Sequence, residues 1–293
     1  MNRMPTFLII GAHKAGTTSL YHYLNQHPQI FMSPVKETHF FSFLGHSLDF
    51  ADPGFEPNKL MAATTIEAYR ALFAQAGEAV AIGEASPSYL YVRETAVNIH
   101  HHLPQVKLIA ILRHPADRAY SNYLHCRART PQEPLANFAA ALQAEPARID
   151  QKWSPLWHYQ QKGFYFQQLQ PYFQLFSREQ IGIFLYDDLV TNPQTMLQQI
   201  YQFLQVDPTF VPDFSKKHNV SGIPKNRLWR FAAQNSRWSR RLFPETIRQR
   251  IKKTALTRPP FPLEIRQQLV ALYRDDILQL QTLIQRDLSH WLF

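Results

Sequence analysis

The stretch Thr6-Phe-Leu-Ile-Ile-Gly-Ala-His-Lys-Ala-Gly-Thr-Thr-Ser-Leu20 carries the clearest structural signal in the chain. It opens with a short, mainly apolar run that ends at Gly11, which is typical of a strand buried on both faces of a parallel sheet. After a polar loop, Leu20, Tyr21 and Leu24 follow at helical spacing. A strand, a loop and a helix in this order predict the first βα unit of an α/β domain.

The same pattern recurs along the chain. Residues 79–84, 106–112 and 181–186 are further apolar runs, each followed by a polar turn and a helix-like stretch. Amphipathic helices are predicted over Pro193 to Leu204 and over Leu263 to Leu283. Because strands that alternate with helices form parallel sheets with both faces covered, the sequence predicts an α/β fold with three layers, α/β/α, around a mostly parallel central sheet.

Composition restricts the domain count and the class of ligand. The chain has 293 residues, is 45% hydrophobic and contains no Ser/Gly/Pro-rich tract between two folded halves, so one domain over residues 1–293 is expected. A formal net charge of +9 favours an anionic ligand. The lone cysteine, Cys126, cannot form an intramolecular disulfide, and the first apolar run is too short for a signal sequence or a membrane span. We therefore expect a cytoplasmic protein without a membrane span.

The loop between the first strand and the first helix has the features of a phosphate site. A helix N-terminus presents unpaired N–H groups and the positive end of the helix dipole, and Gly16 allows an anion to approach closely. The hydroxyls of Thr17, Thr18 and Ser19 add donors. Lys14 lies within the loop, whereas the P-loop of NTPases needs lysine at the position of Thr17. The pattern predicts a phosphate loop that is not a Walker motif; the alternative is a glycine turn with a surface lysine.

A second anion site is predicted where the strand over residues 106–112 leads into Arg113. Ligands of parallel α/β sheets usually bind at the carboxyl ends of the strands, and a guanidinium can give a phosphate two parallel hydrogen bonds. In the helix that follows, Arg118, Ser121 and His125 are three and four residues apart and therefore share one face. The alternative is that Arg113 and Arg118 pair with acidic neighbours.

Residues 11–20 and the segment from Arg113 to Ser121 resemble the two nucleotide motifs of sulfotransferases that use 3′-phosphoadenosine 5′-phosphosulfate (PAPS), especially the heparan sulfate-modifying and related bacterial branch. The resemblance implies a P-loop-like fold, PAPS as the donor, transfer of its sulfuryl group to a hydroxyl or amine, and no metal. It also implies that Lys14 contacts the oxygen between phosphate and sulfate. The residues it assigns to the nucleotide are Lys14, Ala15, Gly16, Thr17, Thr18 and Ser19 in the 5′-phosphosulfate loop, and Arg113 and Ser121 at the 3′-phosphate.

Sulfuryl transfer needs a general base near the nucleophile. The resemblance to the heparan sulfate-modifying branch points to Glu37, which shortly precedes two aromatic residues; the alternative is an ion pair between Glu37 and Lys36. His39 is either a base or a core residue. His125 matches a histidine of the N-sulfotransferase members, which implies that it supports the acceptor or the sulfate; the alternative is a structural role.

Two neighbouring positions bear on the acceptor. Glu84 matches an acidic position of the family, but Ala85 stands where several polysaccharide enzymes have lysine. This difference argues against a glycosaminoglycan-like acceptor, so glycans, lipids and small metabolites all stay open. The variable segments 42–78 and 127–160 are expected to shape the acceptor cleft.

Much of the basic surplus lies between Lys216 and Arg258. This stretch is either the solvated face of an amphipathic helix or a basic rim for an anionic substrate. A glycine-rich basic loop closes over the nucleotide in the family, and Arg258 or Lys253 is the candidate to replace it here.

Three other functions compete with sulfuryl transfer. A nucleotide or small-molecule kinase is disfavoured by Thr17 at the Walker position. A nucleic-acid-binding protein accounts for the charge but leaves two ordered phosphate motifs unexplained, so no nucleic-acid partner is expected. A degenerate family member that binds the nucleotide without transfer is disfavoured because the residues assigned to the donor and the base are present.

Overall fold

The computed structural model describes residues 3–46, 48–53, 55, 63–128, 133–215, 223–224 and 256–293. Within these residues the chain forms a five-stranded parallel sheet. Its strands are β1 (Phe7–Gly11), β2 (Ile30–Met32), β3 (Ala81–Ala85), β4 (Lys107–Leu112) and β5 (Ile181–Leu185), in the spatial order β2-β3-β1-β4-β5.

Helices connect and cover these strands. In chain order they are α1 (Thr17–Leu24), α2 (Phe40–Phe43), α3 (Ile66–Ala71), α4 (Ser88–Tyr91), α5 (Thr95–His102), α6 (Pro115–Ala128), α7 (Phe138–Asp150), α8 (Tyr165–Leu175), α9 (Tyr186–Thr191), α10 (Pro193–Leu204) and α11 (Leu263–Ile284). Turns of 3₁₀ helix lie at Pro155–Trp157, Gln161–Gly163, Arg178–Gln180 and Ser289–Leu292. β6 (Ile223–Pro224) and β7 (Leu256–Thr257) pair in an antiparallel ribbon whose strand β6 packs against α6.

The helices form one layer on each face of the sheet. On the first face α1 packs on β1, β2 and β3, while α10 packs on β5. His27, just after α1, meets Tyr201 of α10 with ring centroids 4.6 Å apart, so these two helices share that face. On the second face α11 packs along α6 and α8. Crossovers between parallel strands are right-handed, and the connection from β1 to β2 runs across the sheet in the direction opposite to the later connections. Its helix, α1, therefore lies on the face opposite to theirs. The predicted three-layer α/β/α fold is confirmed.

Burial explains where the sequence signal was strong. Every residue of β1 and β3 is buried, and so is every residue of β4 except Lys107 at its start, which matches their continuous apolar runs. β2 was not predicted. It has three residues at the edge of the sheet, and a run this short has no periodicity that separates a strand from a loop.

The order of the strands positions the candidate site. β1 lies between β3 and β4, so the chain that leaves β1 and the chain that leaves β4 turn to opposite sides of the sheet. Such a reversal opens a crevice at the carboxyl ends of the two strands, where ligands of open α/β sheets bind. The loop of Lys14 follows β1 and Arg113 follows β4, so both flank this crevice.

Candidate functional site

The loop between β1 and α1 is held by backbone hydrogen bonds and by two residues with left-handed backbone. The Ala12 N–H donates to the Ile111 carbonyl (2.7 Å), and the Ala15 N–H donates to the Ala12 carbonyl (3.1 Å). Lys14 has φ 68° and Gly16 has φ 98°. A Cβ on Gly16 would lie 2.8 Å from a methyl carbon of Leu189, so both the conformation and the space at this position require glycine.

The other predicted loop residues lie where the sequence pattern placed them. Ala15 and Thr17 are buried beneath the loop, and Thr18 and Ser19 are half-buried in the first turn of α1. N–H groups in the first turn of a helix have no acceptor within the helix, and the helix dipole makes this end positive. The loop can therefore hold an anion at the carboxyl edge of the sheet.

Arg113 is oriented toward this loop by three contacts. Its Nη1 donates to the Lys14 carbonyl (3.3 Å), and its guanidinium packs over the Tyr186 ring, 4.6 Å from the centroid. The Tyr165 hydroxyl donates to the Arg113 carbonyl (2.9 Å), and burial lowers the pKa of Arg113. Within the described part of the chain, Asp117 pairs with Arg266 (3.8 Å) and not with Arg113. The alternative that Arg113 serves an ion pair is thus not observed there.

Ser121 and Arg118 are both buried on α6, so the predicted shared face points inward. Arg258, the candidate substitute for the missing loop, is near enough for its charge to lower the pKa of Arg113. The Tyr120 hydroxyl donates to the carbonyls of the two prolines that follow Arg258 (3.1 and 3.0 Å), which ties this segment to α6. Lys253 and most of the basic stretch lie outside the described residues.

Glu37 lies at the carboxyl end of β3. Its N–H donates to the Ala85 carbonyl (2.9 Å), its backbone is left-handed (φ 62°), and its side chain is 39% exposed and forms an ion pair with Lys36. The ion pair that was the alternative interpretation therefore forms, although the exposure leaves the carboxylate accessible. His39 contacts the Ser88 hydroxyl through Nδ1 (2.7 Å), and burial lowers the pKa of His39 to about 4.

The half-buried His125 meets His13 of the loop, with ring centroids 6.3 Å apart in an edge-to-face arrangement. The charges of Lys162 and Lys14 add to burial in lowering the pKa of His13, and the charge of Glu37 acts on Lys162. Lys14 and His125 therefore lie close to His13, and Glu37 lies close enough to Lys162 for their charges to interact. Lys162 was missed, because nothing in its local sequence distinguishes it from a surface lysine.

Tyr186 was not predicted as a site residue either. It begins α9 directly after β5, and its ring lies against both Arg113 and the space beside Gly16. A tyrosine at the carboxyl end of a predicted strand was the available signal, since this edge is where ligands of parallel sheets bind.

The carboxylate of Glu84 is enclosed by hydroxyl groups. This buried carboxylate accepts hydrogen bonds from four hydroxyl groups, those of Thr38 (3.1 Å), Tyr69 (3.1 Å), Ser86 (2.8 Å) and Tyr89 (2.5 Å). Burial raises the pKa of Glu84, and the hydroxyl donors counteract part of this rise. With its oxygens occupied, this carboxylate joins β3 to the segments around it and is not available to a substrate.

Replacement of Glu84 tests this interpretation. Glu84→Gln turns two acceptor positions into an amide donor that faces hydroxyl groups, and we expect the free energy of unfolding to fall by about 1–3 kcal/mol. Urea unfolding at neutral pH measures the change, with the exposed Glu78→Gln as the matched control. Equal stability of the two variants would contradict the structural role.

No group of three or more His, Cys, Asp or Glu side chains among the described residues is arranged to hold a metal ion. None of the helices in this part of the chain is long and apolar enough to cross a membrane.

The chain is similar to proteins of one family. The profile of the sulfotransferase family matches residues 5–210. A crystal structure of a sulfotransferase from Alicyclobacillus acidocaldarius has 32% sequence identity and a TM-score of 0.79, and the match covers 99% of both chains. Among curated proteins, heparan sulfate glucosamine 3-O-sulfotransferase 3A1 of Mus musculus is 27% identical over 76% of this chain and 51% of its own length.

A second curated relative, bifunctional heparan sulfate N-deacetylase/N-sulfotransferase 4 of Mus musculus, is 28% identical over 99% of this chain and 31% of its own length. The chain therefore spans about half the length, or less, of these curated relatives. The family profile includes β1 to β5, the loop of Lys14, Arg113 and α6. With a family match over more than half of its residues and a sulfotransferase structure that aligns along the whole chain, this protein belongs to the sulfotransferase family.

Proposed function

We propose that this protein transfers the sulfuryl group of PAPS to a hydroxyl or amine of an acceptor. The observation that supports the proposal is a hydrogen bond between the two predicted anion sites. Nη1 of Arg113, after β4, donates to the carbonyl of Lys14, after β1 (3.3 Å). Two cations from neighbouring strands thereby flank the crevice at which the sheet order reverses. A nucleotide with a phosphate group at each end of its ribose suits this pair of cations.

The residues of the crevice fit such a nucleotide. The loop with Lys14, Ala15 and Gly16, together with the first turn of α1, suits the 5′-phosphate, and Arg113 with Ser121 suits the 3′-phosphate. When bound, PAPS supplies a sulfuryl group attached to a leaving phosphate. Arg258, whose charge acts on Arg113, is the candidate to cover the nucleotide from the C-terminal side.

Three residues are assigned to the transfer itself. Lys14 holds a positive charge where negative charge develops on the leaving phosphate, which is the electrostatic contribution that such reactions need most. Glu37 accepts the proton of the acceptor group, and its exposure supports access for an acceptor. His125, next to His13 and on the same helix face as Ser121, supports the acceptor or the sulfate.

The acceptor class is the broadest part of the proposal. The names of the curated relatives refer to heparan sulfate, and one refers to its glucosamine. Ala85, where several polysaccharide enzymes have lysine, argues for a different acceptor, so glycans, lipids and small metabolites are all candidates. A cytoplasmic location and a reaction without a metal stay predictions.

Binding of 3′,5′-diphosphoadenosine, the nucleotide product of the transfer, tests the proposal. Arg113→Met removes the guanidinium assigned to the 3′-phosphate, and we expect the dissociation constant to rise roughly 100-fold, or about 3 kcal/mol, which is typical of losing one partner of a buried charged contact. Calorimetric titration without magnesium measures it. Arg178→Met is the matched control, since Arg178 also packs over an aromatic ring, that of Phe173 (5.7 Å), but in the region after α8.

A parallel titration with ATP separates this function from that of a kinase. A sulfotransferase is expected to prefer the diphosphate in the absence of magnesium, because Thr17 occupies the position at which NTPases have their lysine. Equal affinity for ATP, or an Arg113→Met variant that binds the diphosphate like the parent protein, would reject the assignment.

A further inference from the structure

Three basic side chains, two of them buried and one half-buried, form a group beside the loop of Lys14, and none has a role in the function proposed above. They are His13 in the loop after β1, Arg118 on α6 and Lys162 in the turn Gln161–Gly163; we call them the basic cluster. The charges of Lys162 and Arg118 both lower the pKa of His13, and that of Arg118 lowers the pKa of Lys162. Each pair is therefore close enough to interact, although the residues come from three separate parts of the chain.

Arg118 has hydrogen-bond donors that the described protein residues do not satisfy. It is 0% exposed, and its Nη2 donates to the Tyr159 carbonyl. Its Nε and Nη1 have no hydrogen-bond partner within the described residues. A guanidinium stays charged in proteins, and buried donors without partners are destabilising. An acceptor from outside the described protein residues would satisfy both nitrogens.

Lys162 adds a second buried cation to the same place. It is 7% exposed, and its ammonium lies 5.5 Å from the centroid of the Tyr91 ring. Burial and then the charge of Arg118 lower the pKa of Lys162 to about 7. The nearby carboxylate of Glu145 is engaged by two backbone N–H groups, those of Gln160 (2.6 Å) and Gln161 (2.9 Å).

His13 completes the basic cluster at the phosphate loop. Its Nδ1 is buried and has no hydrogen-bond partner among the residues that the structure describes. Burial, followed by the neighbouring cations, holds the pKa of His13 well below its usual value, so the ring is neutral at neutral pH. A neutral ring with its hydrogen on Nδ1 can donate to an oxygen atom.

Buried cations in proteins are normally paired or bind a ligand, because an uncompensated charge is strongly disfavoured away from water. We propose that His13, Arg118 and Lys162 form a binding subsite for an oxyanion group next to Lys14. The nucleotide expected beside it rests on the proposed function, whereas the subsite rests on the basic cluster itself. Two ligands can present such a group: the donor through its sulfonate, or the acceptor through an acidic substituent.

Titration with inorganic sulfate tests the subsite. The parent protein, saturated with 3′,5′-diphosphoadenosine, is expected to bind sulfate saturably, and Lys162→Met is expected to weaken this binding at least roughly tenfold. Lys107→Met is the matched control, because Lys107 also lies over an aromatic ring, that of Phe203 (5.4 Å), but at the amino end of β4. Neither variant should change the affinity for the diphosphate more than about twofold.

Two results would overturn the proposal: absence of saturable sulfate binding in the parent protein, or equal sulfate affinity in Lys162→Met and the parent. Thermal unfolding of both variants checks that they are folded. If the diphosphate itself does not bind, the proposed function fails, and the same sulfate titration of the nucleotide-free protein still tests the subsite.

Repetition with PAPS in place of the diphosphate identifies the source of the oxyanion. If PAPS prevents the binding of inorganic sulfate, the donor's own sulfonate occupies the subsite. If sulfate binds equally well to the PAPS-loaded protein, the subsite is available to an acidic group of the acceptor, and acidic acceptors should then be screened first. Either result supports the subsite.

Proton uptake gives a second measurement that a purely structural lysine would not change. The groups that act electrostatically on Lys162, or on which it acts, are His13 in the loop after β1, Glu37 and His39 after β2, Arg118 and Cys126 on α6, Glu145 on α7, and His158. An anion favours the charged form of Lys162, so its pKa rises on binding and protons are taken up above about pH 7. We expect sulfate affinity to fall as pH rises through this range, and calorimetry in buffers of different ionisation enthalpy to detect uptake in the parent protein but not in Lys162→Met.

Discussion

Lys14→Met is expected to lower the turnover number for sulfuryl transfer by roughly 10²–10³-fold, which is typical of the loss of one preorganised group that stabilises charge in a transition state. The backbone of Lys14 is left-handed (φ 68°), and its carbonyl accepts from Arg113 (3.3 Å), so the loop holds this residue in one conformation at the crevice. Methionine keeps most of the length of the side chain and removes the ammonium group.

Formation of 3′,5′-diphosphoadenosine from PAPS measures this change, with an acceptor found by screening compounds that carry hydroxyl or amine groups. The diphosphate should still bind to Lys14→Met, with affinity reduced less than about tenfold, because the assigned role of Lys14 is in the transfer step. Lys107→Met, at the opposite end of the sheet, should transfer normally. A Lys14→Met enzyme with nearly unchanged turnover would contradict the role.

Glu37→Gln is expected to reduce turnover by roughly 10²–10⁴-fold, which is the usual contribution of a general base. Glutamine has nearly the same shape as glutamate, so binding of the diphosphate should stay unchanged. Its amide cannot accept the proton, so only the transfer step should be slowed. Steady-state rates measure turnover, calorimetric titration measures binding of the diphosphate, and Glu78→Gln is the exposed control.

The two histidines provide the contrast to Glu37. His39 contacts the Ser88 hydroxyl through Nδ1 (2.7 Å), and His125 packs edge-to-face on His13, so both rings have contacts within the protein. His125→Asn and His39→Asn should therefore each reduce turnover less than Glu37→Gln does. If His39→Asn or His125→Asn lowers turnover more than Glu37→Gln does, the base is that histidine.

Local signals were sufficient for the fold because the central strands are buried on both faces. The apolar runs that end at Gly11 and Leu112 can be read directly from the sequence, and so can Pro193–Leu204, which is a helix with the predicted bounds. The short edge strand β2 has no such signal. β5 lies at the other edge of the sheet and was predicted, so it is the length of β2, three residues, that leaves no readable pattern.

The residues predicted to bind the nucleotide could also be identified from the local sequence. A loop that enters a helix needs small residues, and Gly16 must be glycine because of its φ of 98° and the closeness of Leu189. Arg113 directly follows a buried strand, and in a parallel sheet this brings it to the same edge as the loop.

The environment of each carboxylate and cation was decided by tertiary structure. Glu84 and Glu37 both lie near the carboxyl end of β3, yet four hydroxyls enclose Glu84, whereas Glu37 is 39% exposed beside Lys36. The sequence by itself determined four of the five strands and the loop of Lys14, because short-range periodicity and small residues encode them. Its two nucleotide-like motifs carried the resemblance to the family. Only the tertiary structure brought Lys162 to Arg118 and His13, because residues far apart in the chain become neighbours only when the segments that carry them pack together. Burial then removes the water that would screen their charges.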